Sequence, residues 1–261
     1  MNKRVIWVTG ASSGIGEALA KRYAADGAYV ILTARRLDLL EALAASLPDP
    51  ARVLLLPGDL EDGEILDPLA QTALLWLGHV DVVIHSAGVS QRGSVSETTM
   101  ATVRRIMEID FFAVVGLTRA LLPSMLARGR GAVVVIGSVV SYVATPQRSA
   151  YAAAKHAVRG WADALRGEVG PAGIQVTTVI AGYVATGISA AALTGDGSAK
   201  GEVETHDAKG MRAEVAAAQI HGGIETGSRE VIVGGTEVWS VWVQRHFPWI
   251  VARLLPRFAP R

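Results

Sequence analysis

Short runs of β-branched and other apolar residues alternate with longer stretches rich in Ala and Leu along most of the chain, and this alternation limits the fold more than any other feature. The runs fall at 5–9, 29–33, 53–56, 82–85, 132–136, 174–180 and 230–233. Each is nearly continuous in apolar residues, as in strands covered on both faces of a parallel sheet. The stretches between them, at 15–25, 37–46, 64–77, 97–127, 150–169 and 211–225, have helical length and composition. Strand and helix in regular succession predict an α/β fold, a single doubly wound domain of about seven parallel strands flanked by helices. With no repeat and no linker in 261 residues, this domain spans 1–235 and carries a tail at 236–261. One stretch breaks the rhythm: 186–210, rich in Gly, Ala, Ser and Thr, reads as a lid over a substrate site.

Composition removes several classes of function. Half of the residues are hydrophobic and 19% are charged, which excludes a disordered chain. Lys plus Arg number 25 against 24 Asp plus Glu, so no global charge invites nucleic acid, and none is expected as a partner. With no Cys there is no disulfide, thiolate metal site or cysteine nucleophile, and a cytoplasmic setting is compatible. His156, His206 and His221 are dispersed without ligand spacing, so no metal site is expected. The first apolar run is too short for a signal-peptide core, and no run of 18 apolar residues predicts a membrane-spanning helix.

Three segments carry chemistry. The first strand ends in Thr9-Gly10-Ala11-Ser12-Ser13-Gly14-Ile15-Gly16, and a helix follows at once. Glycines there let the backbone approach a diphosphate, and the free N–H groups at the positive helix end attract its charge. The second strand runs into Thr33-Ala34-Arg35-Arg36, where an NAD site would place a carboxylate. Two guanidiniums suit the 2′-phosphate of NADP(H) instead, and two cations opening a helix without such a partner would oppose its dipole. Third, Tyr151-Ala152-Ala153-Ala154-Lys155 stacks a phenol and an ammonium one helical turn apart, where the cation can lower the phenol pKa toward the range of efficient proton transfer. Ser138, after the strongest strand, lies where ligands bind in open α/β sheets, although a cap or loop role is the plainer reading of that residue alone.

From Val5 to Gly234 the chain resembles the short-chain dehydrogenase/reductase family. TGASSGIG at 9–16 matches the family's cofactor turn, and Ser138 with Tyr151 and Lys155 matches its catalytic set. The resemblance implies that Asp59 and Leu60 contact adenine, that Ser86, Ala87 and Gly88 approach the cofactor, and that Val184 and Thr186 hold the nicotinamide side. Ser90-Gln91-Arg92 and the segment 148–157 are most similar to the branch acting on hydrophobic ketones and alcohols of steroid or retinoid type. The implied function is NADP(H)-dependent interconversion of a ketone or aldehyde and an alcohol on a hydrophobic small molecule, by a homo-oligomer. A 3-oxoacyl-thioester reductase and a nucleotide-sensing regulator are the competing readings.

Three positions depart from the family pattern. His85-Ser86-Ala87-Gly88 stands for Asn-Asn-Ala-Gly, Ala181-Gly182 for Pro-Gly, and Asp110 for the fourth catalytic residue, an Asn. A carboxylate at 110 would raise the pKa of Lys155 and retune the proton relay. The tail holds Trp239, Trp242, Phe247, Trp249 and Phe258 with Arg245, Arg253, Arg257 and Arg261. That mixture suits a membrane surface, an oligomer contact or a cover over an apolar pocket.

Overall fold

The computed structural model describes residues 4–258, apart from the side chains of His206, Asp207 and Phe258. Arg261 of the tail lies outside the described residues. In chain order the first half comprises β1 (Val5–Thr9), α1 (Gly14–Ala25), β2 (Tyr29–Thr33), α2 (Leu37–Ser46), β3 (Val53–Leu55), α3 (Leu66–Leu77), β4 (Val82–His85), α4 (Met100–Met107) and α5 (Ala113–Arg128). The second half comprises β5 (Gly131–Ile136), α6 (Ser149–Val169), β6 (Ile174–Ala181), β7 (Val184–Ala185), α7 (Thr205–Ala208), β8 (Met211–Arg212), α8 (Ala213–Glu225), β9 (Glu230–Val233), α9 (Trp239–His246) and α10 (Pro248–Leu254).

Seven strands form one parallel sheet in the order β3-β2-β1-β4-β5-β6-β9, the doubly wound architecture predicted above. The period of two explains its layers. Ile6 and Val8 of β1 join one core with Leu19, Leu40 and Ile220, beneath α1, α2 and α8. Val5 and Trp7 point the other way, into a second core with Leu117, Leu121 and Leu165, beneath α5 and α6. Because the chain winds outward from β1 to β3 and then returns to β4, a crevice opens at the strand ends between β1 and β4, where such sheets bind ligands.

The differences from expectation have local causes. The helix expected at 97–127 starts at Met100, capped by the Thr99 hydroxyl accepting from Thr102 N at 3.2 Å, and widens into a π turn at Glu108–Phe112. Periodicity cannot show a single inserted residue of this kind. The run Met100–Arg128 is long and apolar enough to cross a bilayer, but Ile106, Leu117, Leu121 and Met125 are fully buried, so it serves as a core helix. The helix expected from 211 begins at Ala213, because Met211 and Arg212 pair with Val184 and Ala185 in a separate two-stranded sheet. The tail folds into α9 and α10 and packs back on the domain through buried Val241 and Val251.

Candidate active site

At the mouth of the crevice the chain turns from β1 into α1 on glycines. Gly10 has φ +66°, and a Cβ there would lie 2.7 Å from Ala87 N; a Cβ on Gly16 would lie 2.4 Å from Gly10 O. Only bare backbone packs that closely. The Thr9 hydroxyl accepts from Ser86 N (3.2 Å) and Ala87 N (3.3 Å), so the β1 turn and the β4 turn form one unit despite the change of Asn-Asn to His85-Ser86. His85 itself is buried, with Nε2 2.9 Å from Thr118 Oγ1, and burial pushes its pKa down to about 3, so the imidazole stays neutral. It braces β4 against α5 and stands apart from the chemistry.

This turn opens into a cavity of about 940 Å³ that runs from Arg35 to α10. Every residue singled out above for catalysis or cofactor contact lines it, except Gly16, which packs behind the turn, and Asp110, which lies beneath Lys155. The residues present fit a dinucleotide. Ser13, the N-cap of α1, is extended and makes no side-chain cap, so the first-turn N–H groups of the helix face the cavity uncapped. Arg35 and Arg36 are exposed at its rim with no ion-pair partner among the described residues, and Asp59 and Leu60 stand beside them. Thr186 closes over the turn, close enough that a Cβ on Gly14 would strike its Cβ at 2.8 Å.

The catalytic set comes together from two elements. Ser138 follows β5, and its hydroxyl accepts from Val140 N at 3.2 Å while Ser141 Oγ accepts from Ser138 N at 3.2 Å. Ser138 is therefore a cap, as its plainer reading held, and its own O–H remains free to donate into the cavity. Tyr151 and Lys155 lie one turn apart on α6, both buried, with the Lys155 ammonium 5.7 Å from the phenol ring centre. No described residue hydrogen-bonds the Tyr151 hydroxyl. Lys155 Nζ donates to Ile136 O at 3.2 Å and lies 2.8 Å from Asp110 Oδ1, whose other oxygen accepts from Val89 N at 3.0 Å. Burial pulls the Lys155 pKa down, but the Asp110 carboxylate more than offsets it and the value is raised.

Substrate-side residues come from the Ser90–Arg92 segment, the lid at 186–210 and the tail, with Ile188, Leu193, Val243, Val251 and Leu254 not singled out individually from the sequence. The lid is fastened: Leu193 N donates to Ser90 O and Arg92 N to Leu193 O, at 2.9 and 2.8 Å. Arg92 also forms a two-pronged ion pair with Glu204, 2.6 Å to each oxygen, and these hydrogen bonds hold the Glu204 pKa down to about 2. Ile188, Leu193, Val243, Val251 and Leu254 add apolar walls, so the tail helices form one side of the cavity. Trp239 and Trp249 on the outer side are 66% and 64% exposed, whereas the tail lines the pocket with Val243, Val251, Leu254 and Leu255 together with Glu237 and Ser240. No periodicity links positions 91, 193 and 251.

Comparison with known proteins agrees with this geometry. The sequence model of the short chain dehydrogenase family matches residues 4–196. The rat protein Dehydrogenase/reductase SDR family member 7B is 37% identical over 240 residues, covering 89% of this chain and 74% of its own. Among solved structures, a short-chain dehydrogenase from Streptomyces avermitilis superposes with a TM-score of 0.85 at 35% identity, covering 97% of this chain and 95% of that one. A short-chain dehydrogenase from Sphingobium yanoikuyae in complex with NADPH superposes with a TM-score of 0.78 at 27% identity, over 95% of each chain. The family model over residues 4–196, the rat relative at 37% identity and the superposition on the Streptomyces avermitilis dehydrogenase together show that the chain belongs to the short-chain dehydrogenase/reductase family.

Proposed function

We propose that this oxidoreductase uses NADP(H) to interconvert a ketone or aldehyde and the corresponding alcohol on a hydrophobic small molecule. One observation carries the reading: Tyr151, whose hydroxyl hydrogen-bonds no described residue, lines a largely apolar cavity together with Ser138 and Lys155, whose ammonium lies 5.7 Å from its ring centre. The first turn of α1 would hold the diphosphate, Arg35 and Arg36 the 2′-phosphate, and Thr186 the nicotinamide amide. When bound, the cofactor supplies or takes up the hydride. In reduction, Ser138 and Tyr151 donate hydrogen bonds to the substrate carbonyl, Tyr151 gives up its proton to that oxygen, and Lys155 stabilises the phenolate left behind. Leu193, Val251 and Leu254 exclude water and favour an apolar substrate over a phosphopantetheine-borne thioester. The exposed edge of β9, with Ile232 facing solvent, supports a homo-oligomer as the working assembly.

The test is NADPH oxidation against a panel of bulky ketones and acetoacetyl thioesters, with NADH in parallel. Tyr151→Phe should lower turnover by ~10³-fold or more, the upper range for a lost general acid, while NADPH affinity stays close to wild type. Retained turnover would overturn the assignment, and a wild-type protein that oxidises NADPH with none of the substrates would favour a nucleotide-sensing role.

A further inference from the structure

The first turn of α6 has no cap of its own. Its N-cap residue, Arg148, makes no side-chain hydrogen bond to the helix, and Gln147 before it sits at φ 63°. The cap comes from elsewhere. Gln91, completely buried, accepts through Oε1 from Ala150 N at 2.7 Å and from Tyr151 N at 3.4 Å, and its Nε2 donates to Thr98 Oγ1 at 2.8 Å. A buried carboxamide has no water to replace these partners, so its position and that of the helix start are mutually fixed.

The backbone around the same residue holds the lid. The two hydrogen bonds between Ser90–Arg92 and Leu193 form a parallel bridge centred on Gln91, and Leu193 packs with Tyr151 and Ile106 in one buried cluster. Gly93 N donates to Gln147 O at 3.1 Å, which ties the segment 90–93, a strap beneath the lid, to the residue before α6. Arg92 and Arg148, one on the strap and one at the helix start, both reach Glu204 of the lid, at 2.6 and 3.5 Å.

We propose that Gln91 is the positioning residue of the catalytic tyrosine: its carboxamide sets where Tyr151 enters the cleft and makes that placement depend on a seated lid. The inference rests on the reading of Tyr151 as proton donor. It requires a split in the kinetics, since the glycine turn and Arg35 lie on other segments and do not move when the helix start does.

The experiment uses the full chain, NADPH and the best ketone of the panel, with kcat, KM, NADPH affinity by fluorescence and melting temperature measured together. Gln91→Met, similar in volume and unable to accept from the helix, should lower kcat by ~30- to 100-fold, the scale of an ångström-sized misplacement, while NADPH affinity changes by less than about threefold. Gln91→Glu keeps the acceptor for Ala150 N and Tyr151 N at a helix end that favours negative charge but loses the donor to Thr98, so kcat should recover in part, to a value several-fold above that of Gln91→Met. Wild-type kcat in Gln91→Met, or Gln91→Glu no better than Gln91→Met, would overturn the proposal. If Gln91→Met does not fold, Glu204→Gln loosens the lid from the surface: a fall in kcat of roughly three- to tenfold at constant NADPH affinity supports the coupling, and unchanged kcat refutes it. Tyr151→Phe is assayed beside them. Turnover in that variant would defeat the reading of Tyr151 itself, whereas an inactive Tyr151→Phe with a fully active Gln91→Met would defeat only the role of Gln91.

Discussion

Where β1 meets α1, one side of the cleft is made of consecutive residues, and what they present is backbone: bare N–H groups, with Gly10 and Gly16 chosen because nothing larger fits. Across the cavity, Tyr151 owes its place to Gln91, Lys155 to Asp110 and Ile136, and the apolar wall to the lid and to the last two helices. The diphosphate turn is thus presented by consecutive residues, braced by Ala87 and Thr186, whereas the substrate side is assembled entirely from contacts distant in sequence. A family can keep the first constant while the second changes, because loops carried on a rigid sheet vary without disturbing it. The comparison breaks most severely at Gly16. Replacing it by Ala places a methyl 2.4 Å from the Gly10 carbonyl, a backbone atom that cannot move aside. Overpacking of this kind costs ~1–3 kcal/mol, and the strained turn should lose ~100-fold or more in NADPH affinity, measurable by titration alongside a lowered melting temperature. Binding as tight as wild type would mean that the turn is not the diphosphate site.

A smaller effect on the same side comes from the arginines. Arg35 and Arg36 reach the cavity rim with no ion-pair partner among the described residues, so removing them leaves no buried charge behind and should leave stability unchanged. The double variant Arg35→Ser, Arg36→Ser should weaken NADPH binding by ~10- to 100-fold, the worth of one or two charge-assisted hydrogen bonds, and leave NADH binding within about twofold. Equal loss for both cofactors would show that these arginines read no 2′-phosphate.

The same division explains what was legible in the chain. Strands such as 82–85 and 174–180 were visible because both faces are buried, and the glycine turn was visible because its glycines stand together between a strand and a helix, although the contacts that exclude a side chain at Gly10 and Gly14 come from Ala87 and Thr186. Ser138, Tyr151 and Lys155 were found by spacing and by their place at strand ends, and the structure brings all three to one cavity. Gln91 was seen only as part of a motif resembling the ketone-reducing branch, since a cap supplied from another segment leaves no periodic trace. The strand pair at 184–185 and 211–212 is too short to show alternation, and the π turn that seats Asp110 adds one residue to a helix without altering its composition.

Asp110 gives the finest test of the contrast, because it lies on the non-local side and differs from the Asn of the family pattern. Its carboxylate, fully buried, lies 2.8 Å from Lys155 Nζ and also accepts from Val89 N. Asp110→Asn keeps an oxygen for Val89 and the shape of the side chain, so folding should be preserved. What it removes is the charge. Burial by itself pulls the Lys155 pKa down, and the Asp110 carboxylate is the principal influence holding it above its ordinary value. Without that charge the ammonium gives up its proton at lower pH, and a neutral amine no longer stabilises the phenolate of Tyr151. The alkaline limb of the kcat profile should therefore move to lower pH, with rates near pH 7 changed by only a few-fold. Profiles of wild type and variant between about pH 6 and 11 decide the matter, and coincident alkaline limbs would show that Lys155 keeps its proton without help from Asp110.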